Sequence, residues 1–310
     1  MNKEFPVISY NLKDEDPLLF SKSLGDNFKQ IGFCSISDHP IDSDLINQAI
    51  ESFGSFFKLP KEVKHKYLLD GKGGARGYTP FKIETAKDSN LPDLKEFWHT
   101  GRELPSGHEY EKWMLKNIWI KELPELKDLT LELYKQFDEL GKSLLRSLAM
   151  YLDLDEKYFD KVTNLGNSVM RTIHYPKVDI NEEGERAAAH EDINLITLLI
   201  GGHQPGLEIK LKEGNWLPVS SQRDTIVCNV GDMLQRLCNH KLVSTTHRVV
   251  ATRDTTDQSR YSIPFFVHPN PDWYIETLET CITKDNPNRY PEGILAEDYL
   301  RQRLEEIKLI

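Results

Sequence analysis

The sequence predicts an α+β fold, with a mainly helical first half running directly into a strand-rich half of the kind that closes as a sandwich or barrel. Three observations lead there. Long segments of the first half carry apolar residues at three- and four-residue spacing. From Ser168 onward, short β-branched or aromatic runs alternate with turn residues, which signals many short strands rather than a parallel α/β sheet. No Gly/Ser linker, internal repeat or low-complexity tract divides the halves, so helices followed by strands read as one unit. The 310 residues are expected to form a single unit: 1–165 mainly helical, 166–270 the β core, and 271–310 an extension ending in a helix.

In chain order, Asp16-Pro17 opens the first helix to Ile31, with Asp as N-cap, Pro at N1 and an apolar stripe of Leu18, Leu19, Leu24, Phe28 and Ile31. Ile41 to Lys58 repeats the pattern, capped by Asp42 or Ser43 and faced by Leu45, Ile46, Ile50, Phe53, Phe56 and Phe57. Gly71 to Gly107, rich in Gly, Pro and charge, reads as irregular, and long irregular stretches in compact proteins are usually functional. Leu126 to Leu152 is the longest helix, with Leu129, Leu133, Phe137, Leu140, Leu144, Leu145 and Leu148 on one side. Strands are expected at Ser168–Tyr175, Asn194–Ile200, Gly206–Lys210, Trp216–Val219, Thr225–Val230, Val243–Ala251 and Tyr261–Val267, punctuated by Gly201-Gly202, Pro205-Gly206, Glu213-Gly214-Asn215 and Val230-Gly231-Asp232. Ala296 to Ile307 reads as a closing amphipathic helix.

Charge and cysteine usage narrow the function classes. With 39 Lys+Arg against 49 Asp+Glu the net charge is −10, and no basic block is present, which argues against nucleic-acid partners that require phosphate neutralisation. The longest largely apolar run, Leu195–Ile200, is far short of the roughly 20 residues that span a bilayer. The segment Met1–Pro6 has no apolar signal core. Cys34, Cys228, Cys238 and Cys281 form no CxxC pair, so neither a disulfide framework nor a zinc knuckle is expected. These features describe an acidic protein expected to be soluble and cytoplasmic, with no membrane partner.

The chemistry concentrates in Ala189-His190-Glu191-Asp192-Ile193-Asn194, just before an apolar strand. Residues two apart at a strand end point to one side, so His190 and Asp192 can aim an imidazole and a carboxylate at one point. Thr246-His247-Arg248-Val249-Val250 offers a second histidine at the start of a β-branched segment. Two histidines and a carboxylate on one face of a metal leave three positions open, the arrangement of non-haem Fe(II) oxygenases. H-x-D alone also occurs by chance as a surface or capping pair, and ten histidines make a second one downstream unsurprising. Arg260 and Ser262 share a strand face, and a guanidinium fork beside a hydroxyl suits a carboxylate; alone, the pair reads sooner as an arginine on a solvated strand paired with some acid.

Taken in order, His190-x-Asp192, His247 and Arg260-x-Ser262 resemble the isopenicillin N synthase-like family of Fe(II)/2-oxoglutarate-dependent dioxygenases. Phe5-Pro6-Val7-Ile8-Ser9 resembles the family's opening strand, Gly32-Phe33 with His39 its G-F-x-x-x-x-x-H segment, and Asn229-Val230-Gly231-Asp232-Met233-Leu234-Gln235 its N-I-G-D-x-L-Q turn. The resemblance implies a distorted jelly-roll, or double-stranded β-helix, core at 166–270 flanked by helices. It implies Fe(II) held by His190, Asp192 and His247, with 2-oxoglutarate and O₂ as cosubstrates. Arg260 and Ser262 would grip the far carboxylate of 2-oxoglutarate, and Tyr175, in His174-Tyr175-Pro176, would contact it as the tyrosine of the family's N-x-Y-P motif. Ile173 stands where many members have Asn, and Arg171 on the same face is a candidate substitute.

The implied reaction converts 2-oxoglutarate to succinate and CO₂ while a small molecule is hydroxylated, desaturated or cyclised. Its substrate is expected against Arg76-Gly77-Tyr78-Thr79-Pro80-Phe81 and Phe97–Arg102, where Arg76, Arg102 or Arg171 could bind an acid and Tyr78 and Phe81 could form apolar walls. Equally, aromatics in such a segment anchor it to the core, a reading stronger still for Trp98; no second candidate ligand stands at metal-ligand spacing from His99. Two other readings stand beside this one: an isopenicillin N synthase-type oxidase that does not use 2-oxoglutarate, and a non-catalytic jelly-roll binding module.

Overall fold

The computed structural model describes residues 5–69, 75–85, 91–179, 182–201, 205–219, 222–251 and 259–306. Its helices begin where the caps dictate. Helices α1 (Leu12–Glu15) and α2 (Pro17–Gln30) are separated by Asp16, whose side chain accepts the Leu19 N–H. Helix α3 (Ser43–Phe57) is capped by Asp42, which accepts from Asp44 N and Leu45 N. After the short α4 (Lys61–Lys64), the 26-residue α5 (Leu126–Tyr151) buries Leu133, Phe137, Leu140, Leu144 and Leu148. A turn of helix, α6 (Asp160–Thr163), leads into the strand-rich half.

Two sheets follow. The larger has eight strands in the order β1 (Val7–Ser9), β2 (Phe33–Ser37), β10 (Ile226–Val230), β7 (Ile196–Ile200), β12 (Arg260–Val267), β5 (Val169–Tyr175), β4 (Glu96–Gly101) and β3 (Gly77–Thr79). The smaller runs β6 (Ala187–His190), β11 (His247–Val249), β8 (Leu207–Lys210) and β9 (Trp216–Pro218). Among the described strands, only β1 and β2 pair parallel. Helix α7 (Asp232–Leu237), a small ribbon of β13 (Tyr274–Ile275) and β14 (Ile294–Leu295), and α8 (Ala296–Glu306) complete the described chain. This is the predicted α+β fold with a jelly-roll core.

Strand alternation sorts the side chains into two environments. On β12, Ile263, Phe265 and Val267 join the helix-side core, where Phe265 stacks on Phe137 at 5.1 Å and 1°. The alternate residues, Arg260, Ser262, Pro264 and Phe266, face the other way. That face looks onto the small sheet, because Phe33, Val227 and Leu199 pack there with Ala187, Leu207, Ile209 and Val249. Register sets rows across this interior face: Asn229, Thr197, Phe266, Val169 and Gly101 stand side by side. Further along stand Ser262, Ile173, Phe97 and Thr79, and then Arg260 opposite Tyr175.

The structure departs from expectation in the stretch read as irregular, since β3 and β4 both lie within it and extend the large sheet. Every residue of β4 is buried, so its polar members hide the period: Glu96 accepts from Lys64 and His174, and His99 accepts from Arg171. The Gly202 half of one expected turn lies outside the described residues.

The turn after β10 grips the loop after β6. Gly231 N donates to Leu195 O, Asp232 N to Asp192 O and Met233 N to Asn194 O, at 2.9, 2.9 and 3.1 Å. A Cβ at Gly231 would stand 2.1 Å from Asn194 Oδ1 and 2.2 Å from Asn194 O, and backbone cannot yield that distance cheaply. Gly231→Ala is expected to cost about 1–3 kcal/mol, the usual range for overpacking. The measurement is the urea midpoint; an unchanged midpoint would mean that the turn opens freely.

Candidate active site

Antiparallel pairing of β6 with β11 sets His190 directly opposite His247, and their rings lie 4.4 Å apart between centroids. Asp192 follows β6 by two residues, with Oδ1 3.8 Å from His190 Nε2 and 3.7 Å from His247 Nε2. One donor atom from each of the three lies within 4.8 Å of the others. The remaining atoms of these side chains are committed elsewhere. His190 Nδ1 meets Ala188 O at 2.7 Å and His247 Nδ1 meets Thr245 O at 3.1 Å, so each ring keeps its proton on Nδ1 and presents an Nε2 lone pair. Asp192 Oδ2 accepts from Thr197 Oγ1 at 2.6 Å and Asn229 Nδ2 at 2.7 Å, which leaves Oδ1 open.

The electrostatics suit metal binding. Burial, aided by the neighbouring His247, pushes His190 down to about 4, so it is neutral near pH 7, as a ligand must be. Burial would raise the Asp192 carboxyl, but the two imidazoles and the Asn229 and Thr197 donors outweigh it and hold the group below its ordinary value. Two imidazoles and one carboxylate oxygen on one face fit a divalent iron with open positions.

Along the interior face from this cluster, Arg260, Ser262 and Tyr175 come together. All three are buried; Arg260 stands opposite Tyr175 in register, its guanidinium 5.3 Å from the tyrosine ring. Arg260 Nη1 donates to Pro205 O at 3.0 Å, and Nε finds no partner among the described residues. Arg186, also buried, lies over the same ring at 5.8 Å. Ile173, where the resemblance leads one to expect Asn, packs with Phe97 and Tyr175. Arg171 shares its face but sits four residues from Tyr175, about 13 Å along the strand, and is engaged elsewhere: Nε donates to His99 Nε2 at 2.6 Å and Nη1 to Glu84 at 3.1 Å, with Phe97 and Phe266 flanking the guanidinium. It is not the missing Asn's substitute at the Arg260 end.

The other expected substrate contacts scatter. Tyr78 faces the helices, packed on Phe56 with its hydroxyl on Glu96, because its register partner Trp98 points to that side. Arg102 is paired with Asp138 of α5 and donates to Gly166 O. Phe81 is half-buried under the Lys82 ammonium. Arg76 is buried, donates to Leu115 O and Ala75 O, and occupies the space that a Cβ on Gly101 would need. Sequence reasoning did not single out Thr197, Glu84, Asp93 or Lys95 for the site, and noted Asn229 only as part of a turn motif.

Family models match on both sides of the long helix. Residues 5–122 match the non-haem dioxygenase in morphine synthesis N-terminal family, and residues 166–269 match the 2OG-Fe(II) oxygenase superfamily. The chain belongs to the 2-oxoglutarate/Fe(II) oxygenases. It is 32% identical over 281 residues to the 2-oxoglutarate-Fe(II) type oxidoreductase hxnY of Emericella nidulans, covering 87% of this chain and 79% of that one. A 2OG-Fe(II) oxygenase family protein from Caulobacter crescentus superposes with a TM-score of 0.91 at 44% identity, over 98% of this chain and 99% of the other. A full-length Neurospora crassa protein, solved in complex with alpha-KG and thymine, superposes with a TM-score of 0.85 at 30% identity, over 97% and 96%. The protein is thus a 2-oxoglutarate-dependent dioxygenase that uses Fe(II), 2-oxoglutarate and O₂. No helix among the described residues is long and apolar enough to cross a membrane.

The two donors on Asp192 Oδ2 are open to test. Thr197→Val removes one of them with little change of shape. Outer hydrogen-bond partners of ligands typically matter 10–100-fold in metal affinity, so Co(II) binding is expected to weaken about tenfold in a visible-absorption titration. An unchanged dissociation constant would mean that Asn229 alone orients the carboxylate.

Proposed function

We propose that His190, Asp192 and His247 hold the catalytic Fe(II), that Arg260 and Ser262 bind the far carboxylate of 2-oxoglutarate beside the Tyr175 hydroxyl, and that a small polar molecule is oxidised beside Arg171. The observation that carries this reading is Arg260. A buried guanidinium normally has a carboxylate partner, yet the polar contact of Arg260 among the described residues is the carbonyl of Pro205, beside Tyr175. Such a group calls for an anion from outside the chain, and it shares the barrel interior with the His-Asp-His cluster.

When bound, Fe(II) and 2-oxoglutarate supply an oxidant from O₂ with release of succinate and CO₂; the chain's own groups prepare the place. Asp192 contributes one oxygen because Thr197 and Asn229 occupy the other. Ala188 O and Thr245 O fix the imidazole tautomers. Leu199, Val227, Leu207 and Ile209 wall the interior and keep water from the reacting centre.

For the substrate, charge balance favours a neutral molecule over an acid. Arg171 and Lys95 are matched by Glu84 and Asp93 in one buried cluster, so Arg171 offers its remaining Nη2 donor without a net positive charge. A carbonyl-bearing ring that meets the Arg171 guanidinium, itself held between Phe97 and Phe266, suits that site, and the thymine and 5-formyluracil in the Neurospora crassa complexes are of this kind. The oxidative outcome is hydroxylation, desaturation or ring closure. We place the enzyme in the cytoplasm, where its four buried cysteines would stay reduced, as the free thiols of the structure are.

Succinate release tests the reading. Asp192→Ala is expected to abolish Fe(II)-dependent succinate formation in a protein of unchanged circular dichroism; retained turnover would remove Asp192 from the metal. Arg260→Gln deletes a charge-assisted contact worth about 1.5–3 kcal/mol, so KM for 2-oxoglutarate should rise roughly 10–100-fold with a smaller change in kcat. An unaltered KM would take Arg260 out of the cosubstrate site.

A further inference from the structure

We propose that Arg171 and the metal ligand His190 are coupled through one line of buried contacts: Arg171, Glu84, Lys95, Asp93, Ala188, His190. The inference rests on the reading of His190 as a ligand. Arg171 Nη1 meets Glu84 Oε2 at 3.1 Å, and Lys95 Nζ meets that same oxygen at 2.6 Å. Lys95 Nζ also meets Asp93 Oδ2 at 2.6 Å. Asp93 turns its other oxygen, Oδ1, to the Ala188 N–H at 3.0 Å, and Ala188 O takes the His190 Nδ1 proton at 2.7 Å.

Three features make this line a coupling device and not merely a lock. Successive links meet at one atom in Glu84 and Lys95 and within one residue in Asp93 and Ala188, so a change at one end redistributes the rest. Glu84 Oε2 is divided between Arg171 and Lys95, and Lys95 is divided between Glu84 and Asp93. If Arg171 swings toward a bound molecule, Glu84 is left to Lys95, which draws away from Asp93 and loosens the hold on Ala188. Burial raises the stakes: the Lys95 side chain is 6% exposed, Asp93 5% and Glu84 13%, and water cannot readily substitute for a lost partner. Finally, Ala188 holds the two ends together, its N–H on Asp93 and its carbonyl on His190, so the strand that carries the ligand is itself the last link. The same segment is pinned by Leu94 N to Glu185 O and Asp93 N to Glu84 O at 2.9 and 2.8 Å, which keeps Glu84 and Asp93 in fixed relation. A contiguous network is a physical basis for coupling, and a double-mutant cycle is the way to measure it.

Co(II) titration of the full chain with 2-oxoglutarate present, followed by visible absorption, tests the proposal without any need for the substrate. Asp93→Asn keeps an acceptor for Ala188 but turns an amide toward Lys95, and should weaken Co(II) binding about tenfold. Arg171→Gln lies at the far end of the line, and should still weaken binding about fivefold. The double variant should be no weaker than Asp93→Asn alone, because both act through one line. An Arg171→Gln dissociation constant within twofold of the unmodified protein, or a double variant equal to the product of the single effects, would overturn the coupling. Should either variant fail to fold, the isosteric Glu84→Gln with amide exchange at Ala188 decides: exchange about fivefold faster supports the line, and unchanged exchange refutes it. His190→Ala is the control for the underlying reading. Co(II) binding that survives it would sink the ligand assignment itself, whereas its loss beside normal binding in Arg171→Gln would sink only the coupling.

Discussion

The pairing of β6 with β11 is the constraint on which the site depends. His190 and His247 are 57 positions apart in the chain, and only the antiparallel register that sets them opposite each other brings two Nε2 atoms to the same carboxylate oxygen. A slip of one residue would turn one imidazole to the other face of the sheet, since strand side chains alternate with period two. The register is held from both sides. On the small sheet, His247 also pairs with Ile209 of β8. From the large sheet, Thr197 and Asn229, neighbours in register on β7 and β10, reach across to the carboxylate. The turn at Gly231 then clasps the loop that carries Asp192. The jelly roll therefore acts as a frame with two walls, one supplying ligands and the other orienting them.

Much of this was legible in the sequence, and what was not has a physical reason. The helices announce themselves through caps and periodicity: Asp16 and Asp42 do in the structure what their positions suggest. The pair His190 and Asp192 is legible because its geometry is local, two residues at a strand end. Tyr78 misleads because the face that a residue occupies depends on the register of its strand, Arg102 because its partner Asp138 lies on α5, and β3 is too short and β4, with Glu96 and His99, too polar to look like strands. Their charges are satisfied inside the protein, Glu96 by Lys64 and His174, so the usual rule that charged positions face water fails there. Lys95, Glu84 and Asp93 were invisible for a related reason. Ion pairs between residues such as Arg171 and Glu84, 87 apart in the chain, leave no periodic trace.

The protein's net charge of −10 says little about the field its ligands meet. A dianionic cosubstrate must enter an acidic protein, and local desolvated groups decide the outcome because exposed charges are screened over about 10 Å. Arg260 is the clearest such group. Burial lowers its pKa, and the nearby Tyr175 only partly opposes that shift, so keeping this guanidinium charged without an anion costs stability. On the proposed reading, binding 2-oxoglutarate at Arg260 relieves the cost, and the affinity gained is larger than an exposed arginine could provide.

Arg171 stands on the same face, and its surroundings give it the opposite character. Glu84 already neutralises it, and Lys95 is shared between Glu84 and Asp93, so the cluster holds its cations with two carboxylates and no deficit. The carboxyl of Glu84 illustrates the balance: burial alone would raise it, but Arg171 and Lys95 hold it well below the usual carboxylate range. A second acid brought to Arg171 would have to compete with Glu84 and would meet its repulsion, whereas a neutral acceptor meets neither. Two arginines on one sheet face, about 13 Å apart along the strand direction, thus select different partners. On the proposed reading, Arg260, with no acidic partner among the described residues, takes the charged cosubstrate, and the compensated Arg171 admits an uncharged oxygen. On that reading, exchange of the two ligands is disfavoured at both ends by charge alone.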